Sequence, residues 1–250
     1  MCTVSFIARR RGYLLGMNRD EQLTRAKGLP PAQREVNGMK ILGPSEPGGG
    51  MWIALNEAGA TLALINWYSI TAHVQRKPLS RGEIVSSTSF ASAPSKVEGT
   101  LNRLSLRRIN PFRLIGIFPA TKEVVEWRWN LKQLVRRNCT WTTHQWISSG
   151  FDEPKAQRVR SRTFRLAIQQ ATFGRAAWLR RLHGSHAPEC GPFSTCMHRI
   201  DAATVSYTEI TVGRSRGEML YHLGAPCLAA FGRSFSRQRN SLSVVAAHRV

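Results

Sequence analysis

Apolar, β-prone runs separated by short polar breaks dominate the first third of the chain. Residues 2–8 and 13–17 flank Arg9-Arg10-Arg11-Gly12, and residues 52–55 and 61–67 flank Asn56-Glu57-Ala58-Gly59. Each break ends in a glycine, which can take the left-handed position of a short loop, so each pair predicts a β-hairpin. Residues 28–50, between the pairs, are rich in Gly and Pro and read as a loop over the sheet. The spacing turns helical over residues 81–90 and 95–109, with Ser95 after Pro94 as the expected N-cap. Residues 112–118 and 124–129 predict another hairpin about Pro119-Ala120-Thr121-Lys122. Residues 152–173 predict a helix that 175–182 extends or follows, and residues 204–212 and 219–224 a closing strand pair. Hairpins recur and βαβ units do not, which predicts an α+β layered fold with mainly antiparallel sheets. One domain is expected over residues 1–250, with an Arg- and Ser-rich tail from Phe231 to Val250 whose end is frayed.

Composition narrows the class. With 42% hydrophobic and 20% charged residues the chain carries enough apolar material for a packed core. The most apolar stretch, residues 51–68, is interrupted by Asn56, Glu57 and Asn66, so no transmembrane segment is expected. The apolar run at residues 3–8 is short and precedes its arginines, so no secretory signal is expected either, and the cytoplasm is the expected location. Five irregularly placed cysteines argue against a complete disulfide framework. The formal charge is +21, from 36 Lys and Arg against 15 Asp and Glu. Its arginines are dispersed, without a nucleic-acid-binding motif or an adjacent aromatic platform, so specific nucleic-acid binding is not expected.

Position 2 carries the most specific chemistry. Removal of an initiator Met that precedes a small residue would leave Cys2 with a free α-amino group. A free α-amine titrates near about 7.7–8.0 and a thiol near about 8.5, so the amine can take the thiol proton, and nucleophile and base then share one residue. The register of the first hairpin decides what faces Cys2. A three-residue loop over residues 10–12 places Cys2 opposite Asp20, and one over residues 9–11 places it opposite Asn18. A four-residue loop would present Arg19 instead. The first two are preferred, because a carboxylate near the α-ammonium orients it and tunes its pKa.

The opening M-C-T, with G-M-N-R-D-E at residues 16–21, resembles the NRDE-motif family of the transport and Golgi organisation type, itself similar to the N-terminal nucleophile (Ntn) hydrolases. The likeness extends to G-G-G-M-W-I-A-L-N-E-A-G at 48–59, S-S-G at 148–150 and T-V-S-Y-T at 204–208. It implies a four-layer αββα sandwich. Bile salt hydrolases and penicillin V acylases are more distantly similar, matching Gly16, Asn18 and Asp20, then Asn56-Glu57-Ala58-Gly59 and Ile65-Asn66-Trp67. The resemblance implies that Cys2 is the nucleophile, Asp20 the residue holding the α-amine and Asn66 an oxyanion donor, with Asn18, Arg19 and Trp67 as substrate-binding candidates. Two positions depart from the acylase pattern: Met17 stands for an Arg, and Ile147-Ser148-Ser149 replaces a T-N segment.

The expected activity is therefore hydrolysis of a linear amide C–N bond in a small, acyl-containing and possibly acidic substrate, with no cofactor. The alternative implied by the family is a non-catalytic haem or lipid carrier. His183, His186, Cys190, Cys196 and His198 match no standard ligand spacing, and no metal site is expected.

Overall fold

The computed structural model describes residues 2–229 and 238–243. In chain order the strands are β1 (Cys2–Arg9), β2 (Gly12–Gln22), β3 (Leu29–Val36), β4 (Met39–Ser45), β5 (Ile53–Asn56) and β6 (Thr61–Asn66), followed by helices α1 (Gly82–Thr88) and α2 (Pro94–Leu101). Strands β7 (Phe112–Phe118), β8 (Glu123–Trp129), β9 (Leu134–Cys139) and β10 (His144–Ser148) come next, then α3 (Glu153–Ile168) and α4 (Ala176–His183). The last described elements are β11 (Ala202–Val212), β12 (Arg216–Leu223) and β13 (Gln238–Ser243).

These strands form two antiparallel sheets. One has the order β10-β1-β2-β11-β12-β13 and the other β3-β4-β5-β6-β7-β8-β9. Strand alternation builds the layers. Val4, Phe6, Tyr13, Leu15 and Met17 face inward against Ile53, Leu55, Ile65 and Ile115 of the second sheet, forming the central core. Ile7 and Leu14 point the other way, onto Trp178, Leu179 and Leu182 of α4 and Phe164 of α3. On the far side of the second sheet, Leu62, Leu64 and Leu114 pack against Ile84, Val85 and Val97 of α1 and α2. The result is the expected αββα sandwich. No helix among the described residues is long and apolar enough to cross a membrane.

Several expectations are corrected. Residues 28–50 contain the strand pair β3–β4, turned by Asn37 (φ 50°) and Gly38 (φ 73°), with Val36 opposite Met39. The Asn-Gly pair is a strong hairpin signal, but Pro30, Pro31 and Pro44 masked it. β3 tolerates its prolines because it lies at a sheet edge. The helix expected over 95–109 is only α2 followed by a turn of 3-10 helix at Leu106–Arg108. It starts at Pro94, whose fixed φ suits a first helical position, and Ala93 occupies the cap in place of Ser95. Strands β9 and β10 were not anticipated. Strand β13, paired with β12, falls within the Arg- and Ser-rich tail, whose end, expected to be frayed, lies outside the described residues.

The register of β1 on β2 is Arg9 opposite Gly12 and Cys2 opposite Arg19, not Asn18 or Asp20. Gly12 takes its positive φ of 98° within the strand pairing, so the loop shrinks to Arg10-Arg11 and the register shifts by one. A Cβ at Gly12 would lie 1.9 Å from the Val212 carbonyl oxygen. Gly12→Ala is therefore expected to cost about 2–3 kcal/mol, read as a lowered urea midpoint, through backbone strain and collision with β11.

Candidate active site

Cys2 opens β1 between β10 and β2, and its backbone nitrogen donates to Ser148 Oγ at 3.1 Å. It is 8% exposed and borders a cavity of about 320 Å³, which Arg19, Asp20, Trp52, Asn66 and Arg81 also line. Burial pushes the Cys2 thiol pKa up. Asp20 and Glu21 push the same way, while Arg19 draws it down. A thiol so placed rests protonated at neutral pH and needs a base to attack.

Strand alternation assigns Arg19 and Asp20 to different faces. Arg19 points with Cys2 into the space between the sheets, stacks 4.5 Å from the Trp52 ring centroid, and donates to Glu46 Oε1 at 3.0 Å and Glu21 Oε2 at 3.3 Å. Arg25 bridges the same two glutamates. Asp20, the residue after Cys2's partner Arg19, borders the cavity but turns its carboxylate to the helix-facing side. There it accepts from Thr204 Oγ1 at 2.6 Å and Arg160 Nη1 at 3.2 Å, and Arg160 also reaches Thr3 Oγ1 at 2.8 Å. Neither side chain of the Asp20–Arg160 pair is exposed to solvent. Arg81 donates to the Pro111 carbonyl and has no carboxylate partner among the described residues. Its burial lowers its pKa.

Asn66 ends β6 on the cavity and gives one of its two amide protons to Tyr68 Oη at 2.7 Å. Asn56, in the motif that resembled the acylases, is a turn residue. Its Oδ1 accepts from Ala58 N and Ala60 N, and its Nδ2 ties the turn to Ser89 O and Ala91 O after α1.

Two candidates lie elsewhere. Trp67 sits in a separate depression with Arg113 and Gln145, its ring 5.7 Å from the Arg128 guanidinium. Consecutive residues at a strand end diverge, so Asn66 and Trp67 do not serve one cavity. Asn18 is fully buried under α4 and does not line the Cys2 cavity. Its Nδ2 donates to His183 O at 2.9 Å and Thr195 O at 2.8 Å, and its Oδ1 accepts from His183 Nδ1. That contact fixes the proton on Nδ1, so His183 Nε2 accepts from Ser5 Oγ at 3.0 Å.

His183 is accordingly held neutral, its pKa lowered from 6.5 to about 3 by burial and by Arg160. Below pH 6.5 the unfolded chain takes up a proton that the folded chain refuses. The contribution is complete above 6.5 and is lost as the pH falls toward 3. Urea midpoints are expected to fall between pH 7 and pH 4 by the equivalent of a few kcal/mol. His183→Gln should flatten that slope.

Sequence reading missed Ser148, Trp52, Arg81 and Arg160 as contributors. Ser148 and Thr204 stood in quoted motifs, but their partners depend on strand order.

Two face-to-face sheets clad in helices, with a cysteine opening the first strand beside a cavity, place the chain among proteins of Ntn-hydrolase fold. It is similar to penicillin V acylase from Agrobacterium tumefaciens, with 10% identity, a TM-score of 0.51, and coverage of 89% of this chain and 83% of that one. It is also similar to a mutant of conjugated bile acid hydrolase from Clostridium perfringens, with 10% identity, a TM-score of 0.54, and coverage of 96% and 92%. At such identity the likeness is one of fold. The chain belongs to the Transport and Golgi organisation 2 family, whose profile matches residues 1–186. No curated protein matches it by sequence.

Proposed function

We propose that this chain is an N-terminal cysteine hydrolase of linear amide C–N bonds, with Cys2 as the nucleophile once Met1 is removed. The observation that carries this reading is the position of Cys2: at the head of β1, bordering a cavity, with its nitrogen on Ser148 Oγ and Asp20 one register step beyond. The freed α-amine takes the thiol proton, and the sulfur bonds to the substrate carbonyl carbon. The remaining amide proton of Asn66 supports the oxyanion. The C–N bond breaks as the α-ammonium returns the proton to the leaving nitrogen, which leaves a thioester. Water, deprotonated by the same amine, releases the acid and restores the thiol. Asp20, fixed by Arg160 and Thr204, orients the amine.

The cavity's other charges suggest the substrate. Arg19 and Arg25 are engaged by Glu21 and Glu46, so Arg81 is the cation best placed for an acidic group on the acyl or amine portion. Fold neighbours named as an acylase and a conjugate hydrolase support an amide substrate. The proposal extends to one domain over residues 1–250 and a reducing, cytoplasmic setting, in keeping with five free cysteines.

Intact mass of the purified chain and labelling by a reactive lactam test the reading together. Loss of Met1 with acylation at Cys2 is the expected outcome, and retained Met1 would overturn it. The alternative is a non-catalytic carrier, for which the family description offers only the word transport and no ligand. A strong absorbance shift on haem titration, with an inert Cys2, would favour the carrier.

A further inference from the structure

His186, Cys196, His198 and Cys227 are scattered over 42 positions, yet the fold gathers one ligand-type atom from each to within 4.8 Å of the others. His186 lies on the loop after α4, Cys196 and His198 on the loop before β11, and Cys227 on the 3-10 turn after β12. His198 Nε2 is 3.6 Å from Cys196 Sγ and 3.4 Å from Cys227 Sγ. The His186 ring meets that of His198 nearly edge-on, with centroids 5.0 Å apart. His186 Nε2 is buried and has no hydrogen-bond partner among the described residues.

We infer that these four side chains form a metal site that takes one zinc-class divalent ion. Two thiolates and two imidazoles are the donor set of tetrahedral structural zinc. Metal–sulfur bonds of about 2.3 Å and metal–nitrogen bonds of about 2.0–2.1 Å put the sulfur–nitrogen edge of such a tetrahedron near 3.6 Å. The two sulfur–nitrogen separations at His198 already have that length. The wider pairs close by small side-chain rotations, and the unpartnered His186 nitrogen gains the bond it lacks. Binding displaces two thiol protons to solvent, and the two thiolates neutralise the ion. The sequence-based expectation of no metal rested on the spacing of a group that included His183 and Cys190. In the fold His183 bonds Asn18 and Ser5 instead, and the fourth ligand is Cys227, 29 residues beyond His198.

The ion would tie three loops to one point. The loop between Cys196 and His198 also supports Asp20, because Met197 N donates to Thr204 Oγ1 at 2.8 Å and Thr204 Oγ1 donates to Asp20 Oδ1 at 2.6 Å. The site is therefore structural and acts on the Cys2 cavity through Thr204. It stands whether or not Cys2 is catalytic.

Elemental analysis of the full chain, purified under reducing conditions without chelator, is expected to give about one zinc per chain. Replacement by Co²⁺ should give thiolate-to-metal charge-transfer bands and the intense visible bands of a tetrahedral centre. Cys227→Ser should weaken cobalt binding at least a hundredfold and reduce the charge-transfer band, while Cys190→Ser leaves both unchanged. Bound zinc should also shield Cys196 and Cys227, but not Cys190, from alkylation in the wild-type chain, a readout that does not require the variant to fold. A chain without metal that shows no thiolate bands on cobalt addition would overturn the inference. So would a Cys196–Cys227 disulfide in the reduced preparation.

Discussion

A Cys2→Ala chain is expected to lose amide hydrolysis by at least about 10³-fold in kcat/KM while keeping its fold. Alanine removes the only thiol among the described residues that line the Cys2 cavity and leaves the strand pairing to Ser148 and Arg19 intact. Truncating one buried sulfur costs stability on the order of 1 kcal/mol, so Tm should barely move. Cys2→Ser should fall between the two chains, because a hydroxyl gives up its proton to the α-amine less readily than a thiol. Steady-state rates on a linear amide, with thermal melts on the same preparations, decide the matter. Activity in Cys2→Ala equal to that of the wild type would remove the hydrolase reading altogether.

The largest stability effect is expected at Arg160. Arg160 and Asp20 meet at 3.2 Å with neither side chain exposed. Arg160→Met leaves the Asp20 carboxylate buried without its guanidinium, and breaking such a pair from one side costs about 3–5 kcal/mol. For a chain of this size that is a fall in Tm of roughly 6–20 °C. Changing Asp20 to Asn in the same chain should recover part of the loss, since the neutral amide needs no cation. The Arg136–Glu98 pair offers a contrast, with side chains 38% and 33% exposed. Arg136→Met should cost less than about 1 kcal/mol. Urea unfolding of the two single variants measures the difference.

Strands that bury alternate residues were legible. Pairs β1–β2, β5–β6, β7–β8 and β11–β12 each carry apolar runs around a short polar break, and local spacing was enough. Strands at sheet edges were not. β3 hides behind Pro30 and Pro31, and most residues of β9 face solvent, so neither presents a buried pattern. The site divides along the same line. Cys2, Arg19, Asp20 and Asn66 all border one cavity, although the hairpin register differs by one residue from the one preferred and the Asp20 carboxylate is held on the helix-facing side. Trp67 and Asn18 lie away from that cavity because each follows the direction of its strand and not the motif that contains it. Ser148, Arg160 and Cys227 lie 146, 158 and 225 positions from Cys2, and only sheet order and loop packing bring them to account.

The sheet edges bear on how the molecule meets its own copies. An open edge offers unpaired N–H and C=O groups to any other strand, which is a route to polymerisation. Here β3 presents prolines that cannot donate, and β9 presents Arg136 and Arg137. β13 completes the ladder of β12, so the last described strand of the chain acts as a selvedge along that margin. Part of the positive charge thereby acquires a use unrelated to ligands, as like charge that keeps neighbouring molecules from joining strand to strand in a crowded solution.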